Sequence, residues 1–176
     1  MLSVRPRNDI VLAAGLRTAF VRAGGAFRRE DAGHLGARVA REVLARTGIE
    51  PSDISQLICG CVGPPHDQVN LGRVIALRAG LPASIPAVTV GRNCASGIEM
   101  VTQAATALEA GQGDLYLCVG VEVMSAYPLL FGRPLTDMFA KLARARSVGA
   151  RLAALARFRP RFLAPKIALV EGLTDP

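Results

Sequence analysis

Tryptophan is absent from this chain, tyrosine occurs twice, and aromatics make up 5% of its 176 residues. Base-stacking surfaces are built on aromatic side chains, so nucleic acid is excluded as the expected partner. No run of about 18 apolar residues exists, and no segment reads as a membrane-spanning helix. The opening MLSVRPRND lacks the apolar core of an export signal. Four cysteines (Cys59, Cys61, Cys94 and Cys118) follow no disulfide-framework spacing, so a reduced, cytoplasmic setting is expected. Histidine is nearly missing: His34 and His66 are the only two. Acidic residues are missing from one region. Lys141 to Lys166 holds eight Lys or Arg and no Asp or Glu, whereas the chain up to Ala140 carries 13 basic against 12 acidic residues. The net charge of +7 is therefore a property of the tail.

About half of the residues are apolar, enough for an ordinary domain with a core. NDIVLAAGL, SQLICGCVG, PAVTVGR and DLYLCVGVEV read as buried strands, being short, continuous and β-branched. Between them, DAGHLGARVAREVLARTG and NLGRVIALRAGLP read as helices, and a longer helix is expected from about Ala95 to Ala110, ended by Gly111. In the first helix Asp31 is the expected cap, Gly48 the stop, and Leu35, Val39, Val43 and Leu44 the core face. Alternating strand and helix with apolar strands predicts an α/β fold, a mainly parallel sheet with helices on both faces. After Met124 the character changes. SAYPLLFGRPLTD reads as an irregular link and the rest as basic helical segments, with Phe139, Leu142, Leu152, Leu155 and Phe158 as apolar anchors. The domains are expected at 1–124 and 125–176.

Cys94, in VTVGRNCASGIEM, falls where the third strand gives way to a helix. Open α/β sheets place their ligands at such carboxyl ends. A helix N-terminus supplies unpaired N–H groups and a partial positive charge that suit a thiolate nucleophile. Ala95, Ser96 and Gly97 leave room for a substrate, and the backbone N–H of Cys94 is a candidate oxyanion donor. An inert buried cysteine fits the same position. Cys59 and Cys61, two apart in a strand, point to one face and read as structural, as does Cys118; no metal site is expected. Asn70 reads as a helix start.

NCASG, taken with RTAF and GGAF near the start, NLGR at 70–73 and GVEVMS at 120–125, resembles the amino-terminal half of the thiolase family. The resemblance implies a thiolase-like fold and an acyltransferase that cleaves 3-oxoacyl-CoA with CoA, or runs the reverse condensation, through an acyl-Cys94 intermediate. Coenzyme A is then a cosubstrate, with no bound cofactor. RTAF and GVEVMS favour this over a condensing ketoacyl synthase. The basic tail is similar to the insertion of thiolases that form the β-subunit of fatty-acid oxidation complexes. The resemblance also implies a homodimer, since thiolases pair through this half and the loop at Asn70 is a candidate contact, or a hetero-oligomer with a hydratase/dehydrogenase subunit. Gly91 and Met100 depart tolerably from the family pattern. The family's Asn, its Gly-His-Pro histidine, its Cys-x-Gly cysteine and a final strand are not in this sequence, so the chain is expected to be inactive alone. Neither His34 nor His66 is expected to stand in as base. The competing expectation is a non-catalytic remnant that binds a partner subunit or an anionic membrane through Lys141–Lys166.

Overall fold

The structure, a computed structural model, describes residues 9–156 and 158–167. MLSVRPRN, Arg157, Glu171 and Asp175 lie outside the described residues. The chain separates into two units, Met1–Ala126 and Tyr127–Pro176.

In the first unit, β1 (Gln56–Gly60), β2 (Ala87–Val90) and β3 (Tyr116–Gly120) form a parallel sheet in the order β2-β1-β3. Leu57 lies opposite Ala87 and Leu117, and Gly60 opposite Val90 and Gly120, so the three carboxyl ends finish level. Parallel neighbours need crossovers, here α2 (Leu71–Ala79) and α3 (Ser96–Glu109); α1 (Ala32–Thr47) precedes the sheet. Alternation along the strands sorts the side chains onto two faces. Leu57, Cys59, Leu117 and Val119 join Ala40 of α1 and Ile75 of α2 in the main core. Ile58 and Val90 join Ala104 of α3 on the opposite face, with Met100 and Cys118 packed against them. Helices thus cover both faces, as the continuous apolar strands predict.

The ends of α1 lie where the caps place them: the Asp31 carboxylate accepts from the His34 N–H at 2.7 Å, and Gly48 adopts φ 66°. Its buried face, however, differs from expectation. Leu44 is buried as expected, but so are Gly33, Gly36, Ala37 and Ala40, whereas Leu35, Val39 and Val43 are only half-buried. The reason is close approach to α2. A methyl on Gly36 would come within 2.5 Å of Ile75 Cδ1, so the contact needs small residues.

The first expected strand is overturned. Among the described residues of NDIVLAAGL, 9–16, no strand forms, and Ile10, Val11 and Leu12 are exposed by 42, 74 and 86%. A strand requires a neighbour to complete its hydrogen bonds. Among the described residues the sheet ends at β3, whose outer edge this segment does not pair with.

In the second unit, β4 (Leu129–Phe131) pairs antiparallel with β5 (Pro165–Ile167). Between them come α4 (Arg133–Arg144), α5 (Val148–Leu155) and a 3-10 turn, Pro160–Leu163. The link expected to be irregular therefore contains β4 and the start of α4. Pro134 is compatible with that start, since the first turn needs no N–H from it. Leu135, Met138 and Ala154 are buried. Of the expected anchors, Leu142 is half-buried and Phe139, Leu152, Leu155 and Phe158 are exposed. No helix among the described residues is long and apolar enough to cross a membrane.

Candidate active site

β2 ends at Val90, and the chain turns through Gly91–Ala95 into α3. Asn93 has φ 48°, the only non-glycine with positive φ among the described residues. Asparagine tolerates that conformation better than most L residues. Ser96, only 3% exposed, holds the turn together: its hydroxyl accepts from the Arg92 N–H at 2.8 Å and donates to the Asn93 carbonyl at 2.7 Å. Gly60, at the end of β1, lets the first turn of α3 lie directly on the sheet, for a methyl there would stand 2.4 Å from the Ser96 carbonyl oxygen. Outside the turn, Arg92 pairs with Glu99, which also accepts from Gln103 Nε2 at 2.9 Å. Those hydrogen bonds, Gln103 first and then Arg92, hold the Glu99 carboxyl below its ordinary range.

Cys94 stands at the apex of this elbow and is the only exposed cysteine of the four. It lines an open cleft of about 720 Å³ that also takes in the sheet ends at Gly60, Cys61 and Glu122. No side chain caps α3; the backbone closes the turn instead, the Ser96 N–H donating to the Asn93 carbonyl at 3.0 Å and the Ile98 and Glu99 N–H groups to the Ala95 carbonyl at 3.0 and 2.9 Å. The other thiols are quite different. Burial first, then the charges of Cys61 and Glu122, push the Cys59 thiol up to about 12. Burial and then Glu122 push Cys61 up to about 12, and burial raises Cys118. Cys59 and Cys61 both lie in the main core, on the shared face that their spacing requires. Among the described residues no group of three His, Cys, Asp or Glu could hold a metal ion.

His34 and His66 are both exposed, and neither lines the cleft. The remaining motifs mostly hold the scaffold. In NLGR, Asn70 Oδ1 caps α2 by accepting from the Arg73 N–H at 3.2 Å, while Asn70 Nδ2 donates to the Ala87 carbonyl at 3.1 Å. Arg73 donates to the carbonyls of Ile85 and Ala83. GGAF and GVEVMS meet where the Gly24 N–H donates to Ser125 Oγ at 2.9 Å. Sequence reasoning assigned Glu122 no task, yet its carboxylate accepts from the Val62 N–H at 2.8 Å and stands 3.7 Å from Cys61 Sγ. The one signal for it is a lone acid at the end of an apolar strand.

With this geometry in hand, comparison with known proteins is direct. The family model described as "Thiolase, N-terminal domain" matches residues 10–147. The chain is 38% identical over 121 residues to an acetyl-CoA acetyltransferase of Cupriavidus necator, covering 69% of this chain and 31% of that protein. It is 39% identical over 127 residues to a 3-ketoacyl-CoA thiolase of Colwellia psychrerythraea, covering 70% and 33%. Among solved structures, Bacillus anthracis acetyl-CoA acetyltransferase superposes with a TM-score of 0.60 at 31% identity, over 62% of this chain and 28% of that one. Human mitochondrial 3-ketoacyl-CoA thiolase in complex with CoA gives 0.58 at 28% identity, over 62% and 29%. The chain spans about a third of the length of these curated relatives.

Proposed function

The chain belongs to the thiolase family through its N-terminal domain, and on that premise we propose that the elbow is the acyl-accepting part of an acyltransferase site with Cys94 as nucleophile. In the degradative direction Cys94 Sγ bonds to the 3-oxo carbon of a 3-oxoacyl-CoA and the C2–C3 bond breaks. C2 takes up a proton, acetyl-CoA departs, and the thiol of free CoA then takes the acyl group from Cys94. Condensation is the same path reversed. The single observation that carries this reading is an exposed cysteine on a tight strand-to-helix elbow, facing an open cleft beside a helix N-terminus. In this reading the backbone N–H of Cys94 stabilises negative charge on the attacked carbonyl oxygen.

Both steps move protons, and a cysteine nucleophile works with a base, usually histidine. No histidine lines the cleft, so the base comes from outside this chain and the chain alone turns over no acyl-CoA. The test is alkylation by iodoacetamide near neutral pH, read cysteine by cysteine by mass spectrometry, followed by a search for an acyl thioester after incubation with a short-chain acyl-CoA. Cys94 is expected to react first and faster than free cysteine, with Cys59, Cys61 and Cys118 reacting only on unfolding. A Cys94 rate no greater than that of free cysteine, with no acyl adduct, refutes the assignment.

A further inference from the structure

Independently of the elbow and of the acyl-transfer reading, the unit Tyr127–Pro176 has a surface that its own packing leaves uncovered. Leu135 and Met138 of α4 and Ala154 of α5 are buried. A second apolar set stays outside. Val148, Leu152 and Leu155 recur at i, i+4 and i+7, which puts them on one face of α5, and they are 73, 61 and 47% exposed. Phe158 and Leu163, which follow the helix in sequence, are exposed as well.

Cations flank this set along the sequence. From Tyr127 to Ile167 the sequence holds nine Lys or Arg and a single acid, Asp137. Arg151 lies within the α5 stripe in sequence, and Lys141, Arg144 and Arg146 lead into it, all exposed. None of these four forms an ion pair among the described residues.

We propose that this unit is an interfacial docking surface for an anionic lipid bilayer. Charge complementarity selects the occupant. A second copy presents the same cations to itself, and like charges oppose that pairing. A nucleic acid matches the cations but not the leucine and valine side chains between them, and the aromatic platforms it would stack on are scarce. An anionic bilayer satisfies both components, taking leucine and phenylalanine into the acyl boundary while Arg and Lys meet the headgroup charge.

The experiment is co-sedimentation of the full chain with vesicles of phosphatidylcholine alone or with phosphatidylserine added, at low and high salt. Binding is expected only with phosphatidylserine and is expected to weaken as salt screens the headgroups. At about 1 kcal/mol per basic side chain near the surface, each charge removed lowers binding roughly fivefold, so R144Q/R146Q/R151Q together lose on the order of a hundredfold. A second variant, L152S/L155S, removes the insertion without changing charge. It too should bind less, while alkylation of Cys94 in the other unit keeps its rate and shows that the first unit is intact. Equal binding to both vesicle types, or no loss in either variant, overturns the proposal. So does concentration-dependent self-association without vesicle binding. Release by millimolar glycerophosphoserine also overturns it, since that would mean a headgroup pocket rather than a membrane surface.

Discussion

Gly60→Ala tests the contact on which the elbow rests. The added methyl would stand 2.4 Å from the Ser96 carbonyl oxygen, 2.9 Å from its carbon and 3.3 Å from the Gly97 nitrogen. Ordinary contact begins at 3.4 Å, so the start of α3 must retreat by about 1 Å. The obstacle is backbone, and no side chain can rotate away. Overpacking of this kind costs about 1–3 kcal/mol. Losing glycine's freedom in a strand returns roughly 0.5–1 kcal/mol, leaving a net loss of roughly 0.5–2 kcal/mol. With a urea m value of about 2 kcal/mol per M, the unfolding midpoint falls by roughly 0.25–1 M. Gly97→Ala is the internal control. It lies in α3 with nothing within 4 Å of the new methyl, so helix propensity alone predicts a gain of up to about 1 kcal/mol. Urea unfolding followed by far-ultraviolet circular dichroism gives both midpoints. A Gly60→Ala midpoint equal to or above that of the unsubstituted chain refutes the close approach. A drop confirms that β1 and the elbow are in direct contact, and the alkylation rate of Cys94 should change with it.

Two further substitutions probe the caps and the turn. Asn93→Ala places an ordinary side chain at φ 48° and is expected to lose about 1 kcal/mol, whereas Asn93→Gly stays within about 0.5 kcal/mol of the unsubstituted chain; equal midpoints for Ala and Gly in urea would dismiss the conformational argument. Asp31 is the case for pH. Burial on its own would raise its carboxyl, but hydrogen bonds from the His34 N–H, Gln68 and Arg78, with the Arg78 charge, outweigh that and hold it below the ordinary 3.8. A lowered folded-state value means that the unfolded chain takes up its proton first on acidification. The Asp31 contribution is therefore complete above about pH 5 and is lost as pH falls below about 4. Both side chains of the Asp31–Arg78 pair are more than a third exposed, so solvent screening limits it to about 0.2–1 kcal/mol. Asp31→Asn should cost that amount at pH 6 and progressively less as pH falls below about 4; a cost independent of pH in urea titrations would contradict the charge argument.

Local chemistry carried a large part of this structure. Asp31 and Gly48 bound α1 because a side-chain acceptor and a left-handed terminus act within one turn of the chain. The apolar stretches around Leu57, Val88 and Leu117 became parallel strands because apolar side chains on both faces suit a sheet covered on both sides. Cys94 was placed at a strand-to-helix turn from the change of pattern around it, and Cys59 and Cys61 on one face from strand alternation.

What remained illegible depends on residues far apart in the chain. Ile10–Leu12 has the composition of a strand, but pairing needs an edge, and composition cannot say whether one is in reach. Leu35 and Val39 outrank glycine in hydrophobicity, yet Gly36 is the buried residue, packed so closely on Ile75 that a methyl there would need the Ile75 side chain to shift. The pairing of β4 with β5 spans a loop holding two helices, and three-residue strands carry too little pattern to announce it. Glu122 acquires its partners, Val62 and Cys61, from the other side of a sheet junction some 60 residues away. Hydrogen-bond caps and side-chain periodicity act within a few residues and are written in the sequence. Strand edges, close helix contacts and the surroundings of a thiol belong to distances between segments, and those exist only once the chain has folded.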